Sequence, residues 1–300
     1  MLRISGAGMI LALSAITSLG ASPLQAQQLD WQAIESAMGR PAAVQPGGVR
    51  RFSFPRTDLQ VTVGSVTVRP GLALGGWAAF APHGAEATVM GDLVLTVAEL
   101  GPVVERLQRG GIEQTAIHHH LVGESPRIVY VHLHGHGDPV RLAKSIREAV
   151  AASGIPAPVP APAVQEPLAM DTAAVAGILG VRGRTAGGVY QVNVPRQERI
   201  VQGGVEIPPA LGLGTVINFQ PTGNGRAAIT GDYVLLASEV NPVIRALVEN
   251  GIQATSLHNH LLDETPRLFF LHFWGNDDAA RLARGLRAAL DLTNSQRPAP

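Results

Sequence analysis

Nine of the ten histidines in this 300-residue chain fall in two short stretches, and only His83 lies elsewhere. The first stretch runs Ile117-His118-His119-His120-Leu121-Val122-Gly123-Glu124-Ser125-Pro126-Arg127, with His132, His134 and His136 following. The second runs Leu257-His258-Asn259-His260-Leu261-Leu262-Asp263-Glu264-Thr265-Pro266-Arg267, with His272 following. His118, His120 and His132 thus recur as His258, His260 and His272, each 140 residues on. Imidazole is the commonest metal ligand and titrates near neutral pH. On a strand, residues two apart face the same way, so each His-x-His forms a bidentate pair suited to Zn or Cu. A five-residue connection between strands places Val122 opposite Ile128 and His118 opposite His132, on one face. A four-residue connection sends His132 to the far face. Three imidazoles with an open position is a set used by catalytic and redox metals.

Three readings of these histidines stay open at the level of sequence. They hold a transition metal (Zn, Cu or Fe) through His118, His120, His132, His258, His260 and His272. Alternatively they form a metal-free ligand or catalytic site, or a hydrogen-bonded network inside a sheet. His119 faces away and has Asn259 as its counterpart, while His134 corresponds to Trp274 and His136 to Asn276. Glu124 and Glu264, in the turn after each histidine strand, are the candidate catalytic carboxylates: a fourth ligand, a partner fixing an imidazole tautomer, or a general base. The competing reading is an ion pair with Arg127 or Arg267, three residues on. Asp92 and Asp232, each after a glycine, read first as turn or cap residues and second as site residues. Arg56 and Arg196 read as exposed loop arginines with the chemistry to recognise an anion.

The elements that must position these groups follow from periodicity. Asp30 caps a short helix ending at Gly39. Strand-like runs with turn punctuation follow at 49–54, 59–63, 65–68, 73–80 and 88–96, and 59–63 alternates apolar and polar residues before Gly64. Val97 to Arg109 carries apolar residues at helical spacing and stops at Gly110-Gly111. Ile112 to Val122 returns to strand, Gly123 to Pro126 turns, Arg127 to His134 is a second strand, and Asp138 caps a helix through Val150. This β–α–β–β–α core predicts an α+β fold of ferredoxin-like type, with helices on one face of an antiparallel sheet. The pattern restarts at Leu168, and a period this long means two like halves rather than a stacked array.

The paired signatures carry a resemblance. Gly-Asp (91–92, 231–232), Glu-x-x-Pro-Val (from Glu99 and Glu239), Gly-Ile before His-x-His-Leu, then Glu-x-Pro-Arg and a late His resemble the LppY/LpqO family, also known as DUF1259. The resemblance covers most of residues 30–292 in both repeats, and the second copy is nearer the family pattern. It implies mycobacterial lipoproteins among its relatives. This chain lacks the Cys that a lipid anchor needs, so a soluble exported form is implied instead. The family brings no settled biochemistry, so the chemistry rests on the residues.

The absence of Cys excludes thiolate catalysis, Cys-based zinc sites, Fe–S clusters and lipid attachment to Cys. A net charge of zero with 15% charged residues argues against nucleic acid or a polybasic membrane surface as partner. No Gly-x-Ser-x-Gly elbow, phosphate loop or dinucleotide-binding glycine pattern stands in its required setting. Arg3, the apolar run Met9 to Leu19, Pro23 and Leu24-Gln25-Ala26 read as a Sec-type signal peptide over 1–26, which predicts a periplasmic or secreted protein with no membrane span after cleavage. The expected divisions are a first repeat at 27–151, a Pro/Ala-rich linker at 152–167, a second repeat at 168–294 and a tail at 295–300. The expected function is transition-metal binding, for storage, sensing or metal-dependent chemistry. The alternative is a metal-free cell-envelope module for a small ligand or protein partner.

Overall fold

The computed structural model describes residues 29–158 and 167–296. The leader expected over 1–26, the middle of the expected linker and the end of the tail lie outside the described residues. Among the described residues no helix is long and apolar enough to cross a membrane.

The first half opens with α1 (Trp31–Met38), where the Asp30 carboxylate accepts from the Ala33 N–H at 3.0 Å and Gly39 ends the helix at φ 70°. There follow β1 (Ala43–Val44), β2 (Arg50–Pro55), β3 (Val61–Val63), β4 (Val66–Val68), the one-turn α2 (Pro70–Ala73), β5 (Gly75–His83) and β6 (Glu86–Thr96). Then come α3 (Val97–Arg109), β7 (Glu113–His118), β8 (Glu124–Ser125), β9 (Ile128–Gly137) and α4 (Pro139–Val150). The second half repeats the plan with α5 (Thr172–Leu179), β10 (Arg184–Ala186), β11 (Val189–Pro195), β12 (Val201–Gln202), β13 (Val205–Glu206), β14 (Gly214–Gly223) and β15 (Arg226–Leu235). It closes with α6 (Ala237–Glu249), β16 (Gln253–His258), β17 (Phe269–Asp278) and α7 (Ala279–Leu290).

Each half holds a six-stranded antiparallel sheet, ordered β1-β2-β5-β6-β9-β7 in the first and β10-β11-β14-β15-β17-β16 in the second. In chain order β6, α3, β7, β9 and α4, with the two-residue β8 between β7 and β9, give the sheet order β6-β9-β7, the expected ferredoxin-like core. The place beside β6 goes to β5, which precedes that core in the chain. The expected strand at 73–80 starts two residues late, because Pro70 opens a helical turn instead.

Alternation along each strand decides what the sheet faces meet. Val89, Leu93, Leu95, Val131 and Leu133 pack on α1, α3 and α4. The opposite face carries Met90, Val94 and Tyr130, and it packs on the second half: Met90 with Val234 and Phe270, Tyr130 and Val94 with Val189 and Ala228. The layers therefore run helices, sheet, sheet, helices. Each fully buried Phe or Leu in the shared core contributes on the order of 1.5–3 kcal/mol. Polar contacts add register between the halves. Thr255 donates to the His120 carbonyl at 2.7 Å, Asn259 to the Thr115 carbonyl at 2.7 Å, and Gln220 to the Thr67 carbonyl at 2.8 Å.

Candidate metal centre

The histidine strands meet where the two sheets face each other. In the first half β7 pairs with β9 through a bulge at Thr115: Gln114 stands opposite Leu133, then Ala116 opposite His132 and His118 opposite Tyr130. The expected register, with His118 opposite His132, is therefore corrected by two residues. The strand ends at His118 rather than Val122, because the chain must leave early for Glu124 to pair with Val63 of β3. The shift is even, so His118 and His132 keep a common face, as the side-chain alternation demands. The second half repeats this, with His258 opposite Phe270 and Ser256 opposite His272. His120 lies past the strand end, yet its ring returns to the cluster, stacked on Tyr130 at 3.3 Å between centroids and 3.6 Å from His272.

All six expected ligands converge on one cluster drawn from both halves, rather than on one site per half. His118 Nε2 lies 3.3 Å from His272 Nε2, across the interface. His118 stacks on His258 at 3.9 Å between centroids, and His132 on His260 at 4.0 Å. His258 Nε2 and His260 Nε2 are 3.1 Å apart. Three sets have ligand atoms within 4.8 Å of one another: His118, His120 and His132; His118, His258 and His272; and His132, His258 and His260. Any two of these sets share an imidazole: His118, His132 or His258.

The Gly-Asp pairs explain how the late histidines are aimed. Asp92 stands opposite His132 between β6 and β9, and Asp232 opposite His272 between β15 and β17. His272 Nδ1–H donates to the Gly231 carbonyl at 2.8 Å, leaving its Nε2 lone pair toward the cluster. His132 makes the matching bond to the Gly91 backbone. Asp232 Oδ2 is 3.0 Å from His260 Nε2 and 3.8 Å from His258 Nε2, and Asp92 Oδ2 is 3.6 Å from His120 Nε2. The turn or cap role expected of Asp92 and Asp232 is thus corrected: both sit mid-strand, and they bring the carboxylates nearest the cluster. Asp92 already lay inside the strand-like run expected at 88–96, and the mostly apolar residues around it were the signal that its carboxylate is buried mid-strand.

Burial sets the charge state. It drives His118 down to about 2, with further lowering from His272 and His260, and pushes His120, His132, His258 and His272 down as well. These five imidazoles are therefore neutral near pH 7, which is the form that ligates a metal. Burial also raises the Asp92 carboxyl well above its usual range, helped by the nearby charge of Asp232 and opposed by Arg51. His118 Nδ1, His120 Nε2, His132 Nε2, His258 Nδ1 and His260 Nδ1 are buried with no hydrogen-bond partner among the described residues, as are one oxygen of Asp92 and one of Asp232. So many orphaned donors and acceptors in one place is unusual for a purely structural network, since buried polar groups are normally paired. A cleft of about 950 Å³ between the halves leads to this floor and is lined by His120, His132, His260, His272, Asp92 and Asp232 there.

The other singled-out residues lie around the cluster or away from it. His119 turns outward, its Nδ1 bonding the Ile128 carbonyl at 2.7 Å. His134 pairs with Glu113 at 3.2 Å and His136 with Glu86 at 3.1 Å. Glu124 Oε1 lies 3.8 Å from both Arg127 Nε and His119 Nδ1. Glu264 accepts from Arg267 Nη1 at 3.3 Å and from the Leu268 N–H at 2.8 Å. Neither glutamate belongs to any of the three ligand sets. Arg56 and Arg196, expected on exposed loops, are buried. Arg56 bonds Asp58, Glu99 and the Val94 carbonyl, and Arg196 bonds Glu198, Glu239 and the Val234 carbonyl. Their exposure is corrected because each guanidinium, just past the end of β2 or β11, ties that end to the first turn of α3 or α6.

No curated protein matches the chain. Among solved structures, a trimeric bacterial microcompartment shell protein, PduB, is similar over 86% of this chain and 96% of that one, at 13% identity and a TM-score of 0.23. The domain of unknown function DUF1259 matches residues 32–152 and again residues 173–292. The chain therefore belongs to the DUF1259 family, as a tandem pair of its domains.

Proposed function

We propose that this tandem protein binds one transition-metal ion in a single centre built from imidazoles of both halves. The observation that carries the reading is the set His118, His258 and His272, whose ligand atoms lie within 4.8 Å although they come from opposite halves. Neutral imidazole suits Zn, Cu and Fe, and Asp92 and Asp232 supply nearby carboxylates. An ion there would bring Lewis-acid or redox chemistry to the floor of the cleft. The leader read over 1–26 supports export, so the protein takes its metal outside the cytoplasm; fractionation of the native host, with the protein found in the cytoplasm at full length, would refute that part.

Metal analysis of untagged protein tests the centre. One Zn, Cu or Fe per chain is the expected result. His258→Ala alone, which touches two of the three ligand sets, removes most of the metal, and His119→Ala retains it. Two ions per chain with half kept after His258→Ala would mean separate sites. No stoichiometric metal under any loading would refute metal binding altogether.

A further inference from the structure

The duplication is nearly symmetric at the histidines and broken in the cleft above them. Arg51 of β2 lines the cleft, and its counterpart 140 residues on is Gln191 of β11, which lines it too. Trp77 stands opposite Asp92 in the first sheet, whereas Val216 stands opposite Asp232 in the second. The guanidinium of Arg51 lies over the Trp77 ring at 4.0 Å. The indole reaches across to the second half, where a Cβ added at Gly212 would fall 2.8 Å from it. Arg182 and Arg184 complete the basic side of the cleft.

Among the described residues neither Arg51 nor Arg184 has a carboxylate within ion-pair distance, unlike the buried Arg56 and Arg196. Burial lowers the Arg51 guanidinium to about 10, Asp92 raises it and Arg184 lowers it further. An inward-facing guanidinium that is desolvated, stacked on an aromatic ring and set near a second one is a preorganised oxyanion receptor.

We propose that this cleft binds a small organic oxyanion, a carboxylate or a phosphate ester, held by Arg51 and Arg184 over Trp77 with its remainder directed toward the histidine floor. The inference goes beyond the metal reading and does not depend on it. The volume of about 950 Å³ is in the range of small-molecule sites, and the asymmetry of Arg51 against Gln191 gives the ligand one orientation in an otherwise twofold cleft.

The test uses the full chain carrying Trp31→Phe and Trp274→Phe, so that Trp77 is the sole tryptophan. Benzoate and phenyl phosphate are titrated against its fluorescence, with benzyl alcohol as neutral control, in metal-stripped and metal-loaded protein. Saturable quenching by either anion and none by benzyl alcohol is expected, and the stronger of the two identifies carboxylate or phosphate ester as the class. Loss of a charge-assisted contact in Arg51→Gln weakens binding by about tenfold or more. Arg184→Gln, on an exposed edge strand, gives a second reading should Arg51→Gln fold poorly. His118→Ala with His258→Ala removes the metal yet leaves anion quenching in stripped protein, so the two proposals fail separately. No saturable quenching by either anion, or equal affinity in the arginine variants, would overturn this one.

Discussion

Two glycines with no conformational peculiarity decide where the late histidines point. Gly231 gives its carbonyl to His272, and it must be glycine because a Cβ there would lie 1.9 Å from the Val216 carbonyl; at Gly91 it would lie 2.5 Å from the Trp77 carbonyl. Both clashes are with backbone, which cannot swing away as a side-chain tip would. Gly231→Ala should therefore cost on the order of 1–3 kcal/mol through overpacking. Because it moves the group that orients a ligand, it should also weaken metal binding by about tenfold or more. Gly177→Ala, in helix α5 with open space around the added methyl, is the matched control and should be neutral or slightly stabilising. Thermal denaturation and metal competition measure the two effects. Equal metal affinity in Gly231→Ala and the parent would show that the carbonyl does not aim His272.

At the scale of elements, the same buried arginine clamps each half. Arg196 follows the end of strand β11 and bonds Glu239, which also accepts from the Leu236 N–H at 2.7 Å at the start of α6. Removing the carboxylate in Glu239→Ala strips the helix start of its acceptor and leaves Arg196 buried with Glu198 alone. The expected loss is about 3 kcal/mol, the low end for breaking a buried pair because one partner remains. Glu206→Ala, which breaks an exposed pair with Arg199, should change stability by under about 1 kcal/mol. Urea denaturation of both variants decides it, and equal small losses would show that the clamp is not what holds α6. These clamps also show what was legible in the sequence. Asp30, Asp138 and Gly39 announced helix ends, and period-3.6 spacing placed α3 to the residue, because caps and periodicity are local physics. The bulge at Thr115 left no mark, since both registers bury the same apolar face. Asp92 looked like a turn residue because carboxylates are rare in buried strands, and only the facing half explains it. Arg56 looked exposed because its partner Glu99 is brought to it by folding, although Asp58 stands only two residues on. The meeting of His118 with His272, 154 residues apart, is tertiary and had no local signal at all.

The whole molecule stakes its stability on keeping that meeting uncharged. Five imidazoles have folded pKa values below the ordinary 6.5: His118, near 2, and His120, His132, His258 and His272, all lowered first by burial between the sheets. Below pH 6.5 the unfolded chain takes up protons that the folded chain refuses. Stability is therefore full above that pH and is lost as pH falls toward the folded values. Each such histidine adds its own proton to that dependence, and all five act in the same direction as pH falls. Asp92 works the other way, because its raised folded pKa lets the native state bind a proton first, but it is one group against five. Metal-free protein should consequently lose its urea resistance between about pH 6.5 and 5, at a steepness reporting several protons. The His118→Ala and His258→Ala double variant should show a slope shallower by about two protons, since two of the refusing groups are gone. Bound metal should shift the collapse to lower pH, because ligation of the neutral imidazoles competes directly with protonation. A flat stability profile from pH 7.5 to 5 in the stripped parent, or a slope unchanged in the double variant, would mean that the imidazoles are not buried together between the sheets.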